Sequence, residues 1–338
     1  MPETNRSENF NAGDALGPYT LLVQLAEGGM GAIWSAALVA ARGFSRLVAI
    51  KTILQEFAED VQYTRALRDE AQLAASLSHP HLCDVAELGE SAGYPFLVME
   101  WVDGASLAEL LGTCVATWRP LAPVTACQIV ADACAGLHAL HEARDHAGQP
   151  LRAVHRDVSP HNILLTRRGQ VKVADLGVAK ARGQWRARTR SGELRGKLGY
   201  LAPEQLRGGS VDRRADVHAL GCVLYVCLSG AMPYPPEVAS FESVRSGKYR
   251  PLAELCPGLP GELCAIVDRA LQTDPDARFP DALSLRQALE TWRASEAIEH
   301  GNERLAVCLD ERLGPFIRSR NERIQTAFRE FIGEKTVL

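Results

Sequence analysis

The chain predicts an α+β fold, a strand-rich first part followed by a helical second part, with the break just after Glu100. Three observations carry that expectation. Ahead of the break, short apolar and β-branched runs alternate with turn residues, as antiparallel strands do. From Pro203 to about Trp292 the apolar positions instead recur at helical spacing. The length, 338 residues, suits one large domain or two lobes better than a string of small modules.

Residues 1–17 are polar and read as a disordered N-terminus. Strands are expected at Tyr19 to Gln24, Ile33 to Leu38 and Leu47 to Ile53, with a glycine cluster between the first two. From Glu59 to Leu77, the positions Leu67, Ala71, Ala74 and Leu77 mark one helical face, and Glu70 lies along it. Another strand ends in Phe96 to Glu100. Asp103-Gly104 then turns the chain into a short helix, with Ser106 and Glu109 at capping-box spacing. Past Pro123, a long helix carries Ile129, Ala133, Leu137 and Leu140 into a polar loop. Residues 294–338 form a helical tail with two amphipathic stretches, one on Leu305, Leu309 and Leu313, the other on Ile317, Ile324, Phe328 and Phe331. Its plain reading is a cap on the preceding lobe, and the competing one a helix that docks a partner.

Composition narrows the partners. Hydrophobic residues make up 46%, charged residues 23%, and the net charge is -4, which gives no basis for nucleic acid or an anionic membrane. The nine cysteines form no C-x-x-C pair and sit mostly in apolar surroundings, so they read as core residues of a reduced compartment. The N-terminus lacks the apolar core of a signal peptide, and the longest apolar run, Val217 to Leu228, is too short for a transmembrane segment. The expectation is a cytoplasmic protein.

The chemistry begins in Val154-His155-Arg156-Asp157-Val158-Ser159-Pro160-His161-Asn162, a polar loop ahead of an apolar run. An Asp and an Asn five positions apart can divide one task, Asp157 accepting a hydroxyl proton while Asn162 holds a phosphate-bound metal. Lys51 ends an apolar strand, where an ammonium is costly unless paired, and Glu70 poses the mirror-image problem on its helix. Paired, they would hold the lysine against an anionic ligand. Val171 to Gly177 ends another strand in Asp175, which with Asn162 offers hard oxygens to Mg2+, or is an ordinary Asp-x-Gly turn. The glycines of Leu25 to Ile33 join two strands, which argues against a dinucleotide-binding turn. They let the backbone close over phosphates, or form a bare hairpin.

With Ala202-Pro203-Glu204 following a basic segment from Lys180 to Lys197, the ordered set resembles a bacterial eukaryotic-like (Hanks-type) serine/threonine protein kinase over residues 18–293. The resemblance implies a bilobal protein-kinase fold, with an N-lobe of about 18–100 and a C-lobe of about 103–293. It implies ATP and Mg2+ as cofactors, proteins as substrates and self-phosphorylation. Position by position, it gives Gly28 and Gly31 to the loop over the phosphates and Lys51 to the α/β-phosphates, paired with Glu70. Asp157 becomes the catalytic base, Asn162 and Asp175 the metal ligands, and Arg156 the receiver of an activation-segment phosphate. The arginines between Asp175 and Glu204 point to Thr189 or Ser191 as its site, or else form a basic loop that draws in acidic substrates. Leu25, Ile33, Ala49 and Leu164 would close the base pocket behind the gatekeeper Met99. Glu100, Trp101 and Val102 would be the hinge, and Ser106 would meet the ribose. Asp216 would brace the catalytic loop, and Arg278 would pair with Glu204.

Four positions depart from the family. Ala26 replaces a glycine and Leu176 a phenylalanine; Ser159 replaces the lysine that binds the transferred phosphate, and Lys197 the threonine of the substrate-docking loop. The last two read either as a transposed pair, with Lys197 reaching toward the phosphate and Ser159 adding a hydrogen bond, or as a tolerated loss at Ser159 with Lys197 turned to solvent or to acidic substrates. An active kinase is the reading preferred over a catalytically impaired kinase-fold module that binds nucleotide or scaffolds partners, because Lys51, Asp157, Asn162 and Asp175 are all present.

Overall fold

The computed structural model describes residues 10–28, 31–39, 45–53, 61–91, 93–117, 119–145, 147–176, 198–234, 241–296 and 301–333, without the side chains of 61–63, 66, 70, 115–117 and 241–242. Gly177, Thr189, Ser191, Lys197 and the side chain of Glu70 lie outside the described residues. The chain divides into two compact units.

The first unit takes residues up to Ser76, Asp84–Val102 and Gly314 onward. Its sheet contains β1 (Ala15–Leu16), β2 (Tyr19–Gly28), β3 (Gly31–Val39), β4 (Ser45–Ile53), β5 (Val85–Ser91) and β6 (Tyr94–Glu100). The order is β1-β2-β3-β4-β6-β5, antiparallel throughout. Helix α1 (Val61–Ala75) buries Leu67, Ala71 and Ala74 of the predicted face, with Leu67 packed on Ile53 and Leu88, whereas Leu77 lies beyond the end of the helix and is half-buried. Strand alternation puts Leu21, Trp34, Ala36, Val48, Ile50, Phe96 and Val98 in one apolar cluster. Leu21, Leu22 and Val23 are all buried, which strict alternation forbids. A register shift between Leu21 and Val23 resolves it, turning Leu22 and Val23 to a second cluster. The buried Ser35 hydroxyl satisfies the irregularity, accepting from the Val23 N–H and donating to the Val23 carbonyl, both at 3.2 Å.

Residues 10–17, expected to be disordered, are ordered. Phe10 packs on the first cluster and edge-on to Tyr94, the Gly13 N–H donates to the Leu21 carbonyl at 2.8 Å, and β1 pairs with β2. The polar composition conceals this because the anchors are few, chiefly Phe10 and Leu16.

The second unit takes Leu77–Cys83 and Asp103–Leu313. It contains β7 (Gly104–Ser106), α2 (Leu107–Thr117), α3 (Pro123–His141), a 3-10 turn at Pro160–Asn162, β8 (Ile163–Thr166) and β9 (Val171–Val173). There follow α4 (Pro203–Arg207), α5 (Arg214–Ser229), α6 (Phe241–Ser246), α7 (Leu252–Leu255), α8 (Gly261–Ala270), α9 (Ala282–Ser295) and the start of α10 (Glu303–Ile332). Residues 77–83 join this unit through β9, where the Cys83 N–H donates to Val173 O at 2.8 Å and the Val173 N–H to His81 O at 2.9 Å. Strands β7, β8 and β9 form a small antiparallel sheet. The α2 cap is the predicted box, since the Ser106 N–H and hydroxyl both reach Glu109 Oε2 while the Glu109 N–H returns to Ser106 Oγ.

Among the described residues, α3 alone is long and apolar enough to cross a membrane, and it is 72% buried inside the unit, packed on α5 and α9 as a core helix. The nine cysteines, all among the described residues, form no disulfide, and seven are buried. Burial pushes the Cys127 thiol up to about 12, which removes it as a nucleophile. The buried Arg278 pairs with Glu204 at 2.7 and 2.8 Å, and its remaining N–H groups reach the carbonyls of Gln272, Arg214 and Thr273. Every donor of its fork is used.

The two amphipathic stretches of the tail belong to a single helix, Glu303–Ile332. Through Leu313 it belongs to the second unit and from Gly314 to the first. It is therefore not only a cap on the preceding lobe. Pro315 inside it removes one backbone donor without ending it. In the first unit Ile324 and Phe328 are almost fully buried, contributing about 1.5–3 kcal/mol each.

Candidate active site

In the second unit the polar loop is built around one carboxylate. Asp216, 1% exposed on α5, accepts the Arg156 N–H on Oδ1 and the His155 N–H on Oδ2, each at 2.8 Å, and its Oδ2 also meets His141 Nε2 at 2.8 Å. Burial alone would raise its pKa, but the His141 hydrogen bond, the nearby His155 and the Arg156 N–H outweigh burial and hold it below the usual carboxylate range. The loop backbone is thus pinned from beneath by an ionised group.

The pinning holds an unfavourable conformation in place. Arg156 has φ 64° and Asp175 φ 61°, a left-handed region that costs a non-glycine residue roughly 1–2 kcal/mol. The Arg156 carbonyl accepts from Gln205 Nε2 at 3.1 Å, while Gln205 Oε1 receives the Ala202 N–H at 2.9 Å. His155 Nε2 and the Ala174 carbonyl lie 3.1 Å apart, tying the loop to the residue before Asp175. His141 and Gln205 were not singled out from the sequence, where one polar residue on a helix has no spacing to mark it.

Asp157 is 7% exposed and Asn162 6%. Asn162 Nδ2 donates to the Asp157 carbonyl at 2.8 Å and to its carboxylate Oδ2 at 3.0 Å, and the Asn162 carbonyl accepts the Ala174 N–H at 2.8 Å. This leaves Asn162 Oδ1 as the amide's acceptor. The Ser159 hydroxyl is buried and has no hydrogen-bond partner among the described residues. Leu164 on β8 faces Ser106 on β7 and Lys172 on β9.

In the first unit, Lys51 stands opposite Ile33 and Leu97, and Ala49 opposite Ser35 and Met99. Directly paired residues project to the same side of a sheet, so Ile33, Ala49, Lys51 and Met99 share one face. Gly28 pairs with Gly31 where β2 turns into β3. At Gly31, φ is +157° and a Cβ would stand 1.9 Å from the Thr52 carbonyl oxygen, so the packing of β3 against β4 by itself requires glycine there. Glu100 ends β6, its N–H donating to Asp84 O at 2.9 Å and its Oε1 accepting the Asp84 N–H at 2.8 Å.

The protein kinase domain family model matches residues 19–292. The chain belongs to that family. The chain is 40% identical over 312 residues to the tyrosine-protein kinase MasK of Myxococcus xanthus, covering 92% of this chain and 48% of that protein. It is 37% identical over 252 residues to the serine/threonine-protein kinase PknB of Mycobacterium tuberculosis, covering 72% of this chain and 38% of that one. It thus spans half or less of the length of these curated relatives. The crystal structure of the Mycobacterium tuberculosis PknI kinase domain superposes with a TM-score of 0.62 at 27% identity, covering 83% of this chain and 98% of that one. The resemblance read in the sequence, and the strand-rich and helical lobes it implies, are borne out.

Proposed function

We propose that this kinase transfers the γ-phosphate of ATP to serine or threonine hydroxyls of proteins, itself included, in the cytoplasm. The observation that carries the reading is the loop Arg156 to Asn162, held by Asp216 with the Asp157 carboxylate and the Asn162 amide in direct contact. Asp157 takes the proton of the attacking hydroxyl. Lys51 holds the α/β-phosphates with Glu70 as its partner, Gly28 and Gly31 let the backbone approach them, and Arg156 receives a phosphate at Thr189 or Ser191. Leu25, Ile33, Ala49 and Leu164 contact the base behind Met99, and the backbone of Glu100 and Val102 hydrogen-bonds its edge. Ser106 stands where the ribose would lie, although its hydroxyl already caps α2.

The donor set suits Mg2+: Asn162 Oδ1 and the Asp175 carboxylate are hard oxygens, and this ion takes one or two protein ligands and completes its shell with phosphate and water. When bound it would neutralise charge on the β- and γ-phosphates.

The test is incubation with γ-labelled ATP, Mg2+ and generic protein substrates, followed by acid hydrolysis of the labelled product. Phosphoserine and phosphothreonine are expected, and no incorporation would end the proposal. A tyrosine acceptor is the second reading. It draws on the name of the Myxococcus relative and on Ser159 in place of the usual lysine, and phosphotyrosine as the main product would establish it.

The buried hydroxyl of Ser159 bears on the transposed pair. A phosphate oxygen would supply the partner it lacks, and Lys197 the charge the family takes from the other position. Lys197→Thr should then lower kcat by roughly 10²-fold, and adding Ser159→Lys should restore most of it, a strongly non-additive pair. Full activity of Lys197→Thr on a neutral peptide would refute the exchange.

A further inference from the structure

The sheet face that carries Lys51 also carries Ala49 and Leu47, at alternate positions back along β4. Their partners on β3 are Ile33, Ser35 and Ala37. Rows therefore cross this face in order: Ile33 with Lys51, Ser35 with Ala49, Ala37 with Leu47. The function proposed above sets phosphates at the first row and the base at the second. The next row is covered. Ile324, Ala327 and Phe328 of α10 form one cluster with Leu22, Val23 and Ala37, and Leu25, Leu47 and Trp101 pack against it.

Leu25 and Trp101 give that contact its meaning. Leu25 leads into the glycine turn, and Trp101 lies between Glu100 and Val102. Arg320, one turn ahead of Ile324, sets its guanidinium carbon 6.0 Å from the Trp101 ring centroid and 5.6 Å from that of Phe316. A cation ranked between two rings restrains both. At the other end of the segment, Phe331 lies against Gly13, closing on the turn before β1. The helix is thereby fixed at both ends over a patch that begins beside the base row.

We infer that the C-terminal helix is a wall of the nucleotide site. Ile324 and Phe328 close the sheet face beside the base, and Arg320 holds Trp101 so that the flanking Glu100 and Val102 backbone groups meet the base in a fixed geometry. The inference rests on the nucleotide reading above. Ile324, Phe328 and Arg320 are positioning residues, since they act through Leu25, Leu47 and Trp101.

The experiment uses the 338-residue chain with Phe328→Ala, Arg320→Ala, the conservative Phe328→Leu and, as control, Glu330→Ala on the exposed side of the same helix. ATP dissociation constants are measured at a temperature where circular dichroism shows each variant folded. Phe328→Ala and Arg320→Ala should each weaken ATP binding about tenfold with kcat little changed, because preorganisation of the base contacts is lost while the phosphate groups keep theirs. Phe328→Leu should recover most of the affinity, and Glu330→Ala should match the parent. Amide exchange at residues 100–102, read without nucleotide, should quicken in the two alanine variants. Unchanged exchange there overturns the inference whether or not the parent binds ATP. Quickened exchange with unchanged affinity in a parent that binds ATP overturns it as well. A parent that binds no ATP defeats the nucleotide reading and this inference's ATP arm together, while the exchange arm still decides whether the helix holds Trp101.

Discussion

Asp157→Asn should lower phosphoryl transfer by roughly 10²–10⁴-fold while leaving thermal unfolding almost unchanged. The substitution keeps the shape of the side chain and an oxygen that can accept from Asn162 Nδ2, now 3.0 Å from the carboxylate. It removes only the ability to take a proton at that atom. The loop itself does not depend on the carboxylate, because its backbone is fixed by Asp216 and Gln205. Lys51→Met, in the first unit, should be as damaging for a different reason, the loss of the cation facing the phosphates. Label incorporation at fixed ATP, set beside a melting curve, separates the two expectations from misfolding. Parent-level incorporation by a folded Asp157→Asn would sink the assignment of the base.

Much of this arrangement was legible because the residues that carry it are tied to fixed backbone features. Asp157 and Asn162 flank a proline-started turn, so their spacing alone places them together, and Ser106 and Glu109 stand at the interval a capping box requires. Asp216 with the loop, and Arg278 with Glu204, came from the order of motifs rather than from any local pattern, and the distances agree. What the sequence hid has physical causes of three kinds. His141 acts through one hydrogen bond and Gln205 through two, which leave no periodicity. The register shift at Leu22 depends on Ser35 from the neighbouring strand, so it cannot be read along either strand alone. Gly314 and Pro315 interrupt the tail in composition but not in conformation, so its two amphipathic stretches lie on one continuous helix. Periodicity identified its apolar face, but the surface that this face meets is a property of the folded sheet.

Asp216→Asn should be a costly single substitution in the second unit, and the reason lies in the direction of its hydrogen bonds. Both carboxylate oxygens accept from backbone N–H groups, Arg156 on one side and His155 on the other. An asparagine offers one acceptor and one donor, so whichever way the amide turns, an NH2 faces an N–H. The negative charge beside His141 Nε2 disappears as well. Breaking a buried, charge-assisted set of this kind costs about 3–5 kcal/mol, a fall in melting temperature on the order of 10 °C. The loss should be larger at neutral than at acid pH. Asp216 is depressed in the folded state, so its contribution is fully present above the unfolded carboxylate value of about 3.9 and fades as the pH falls through the folded value. Melting curves of the two proteins should therefore converge in acid, and a gap that widened there would contradict an ionised Asp216. In activity, the loop should lose the restraint on the left-handed Arg156 immediately before Asp157, and kcat should drop by roughly 10²-fold even in molecules that remain folded. A folded Asp216→Asn variant with the parent's kcat would show that the strained loop keeps its shape without the carboxylate beneath it.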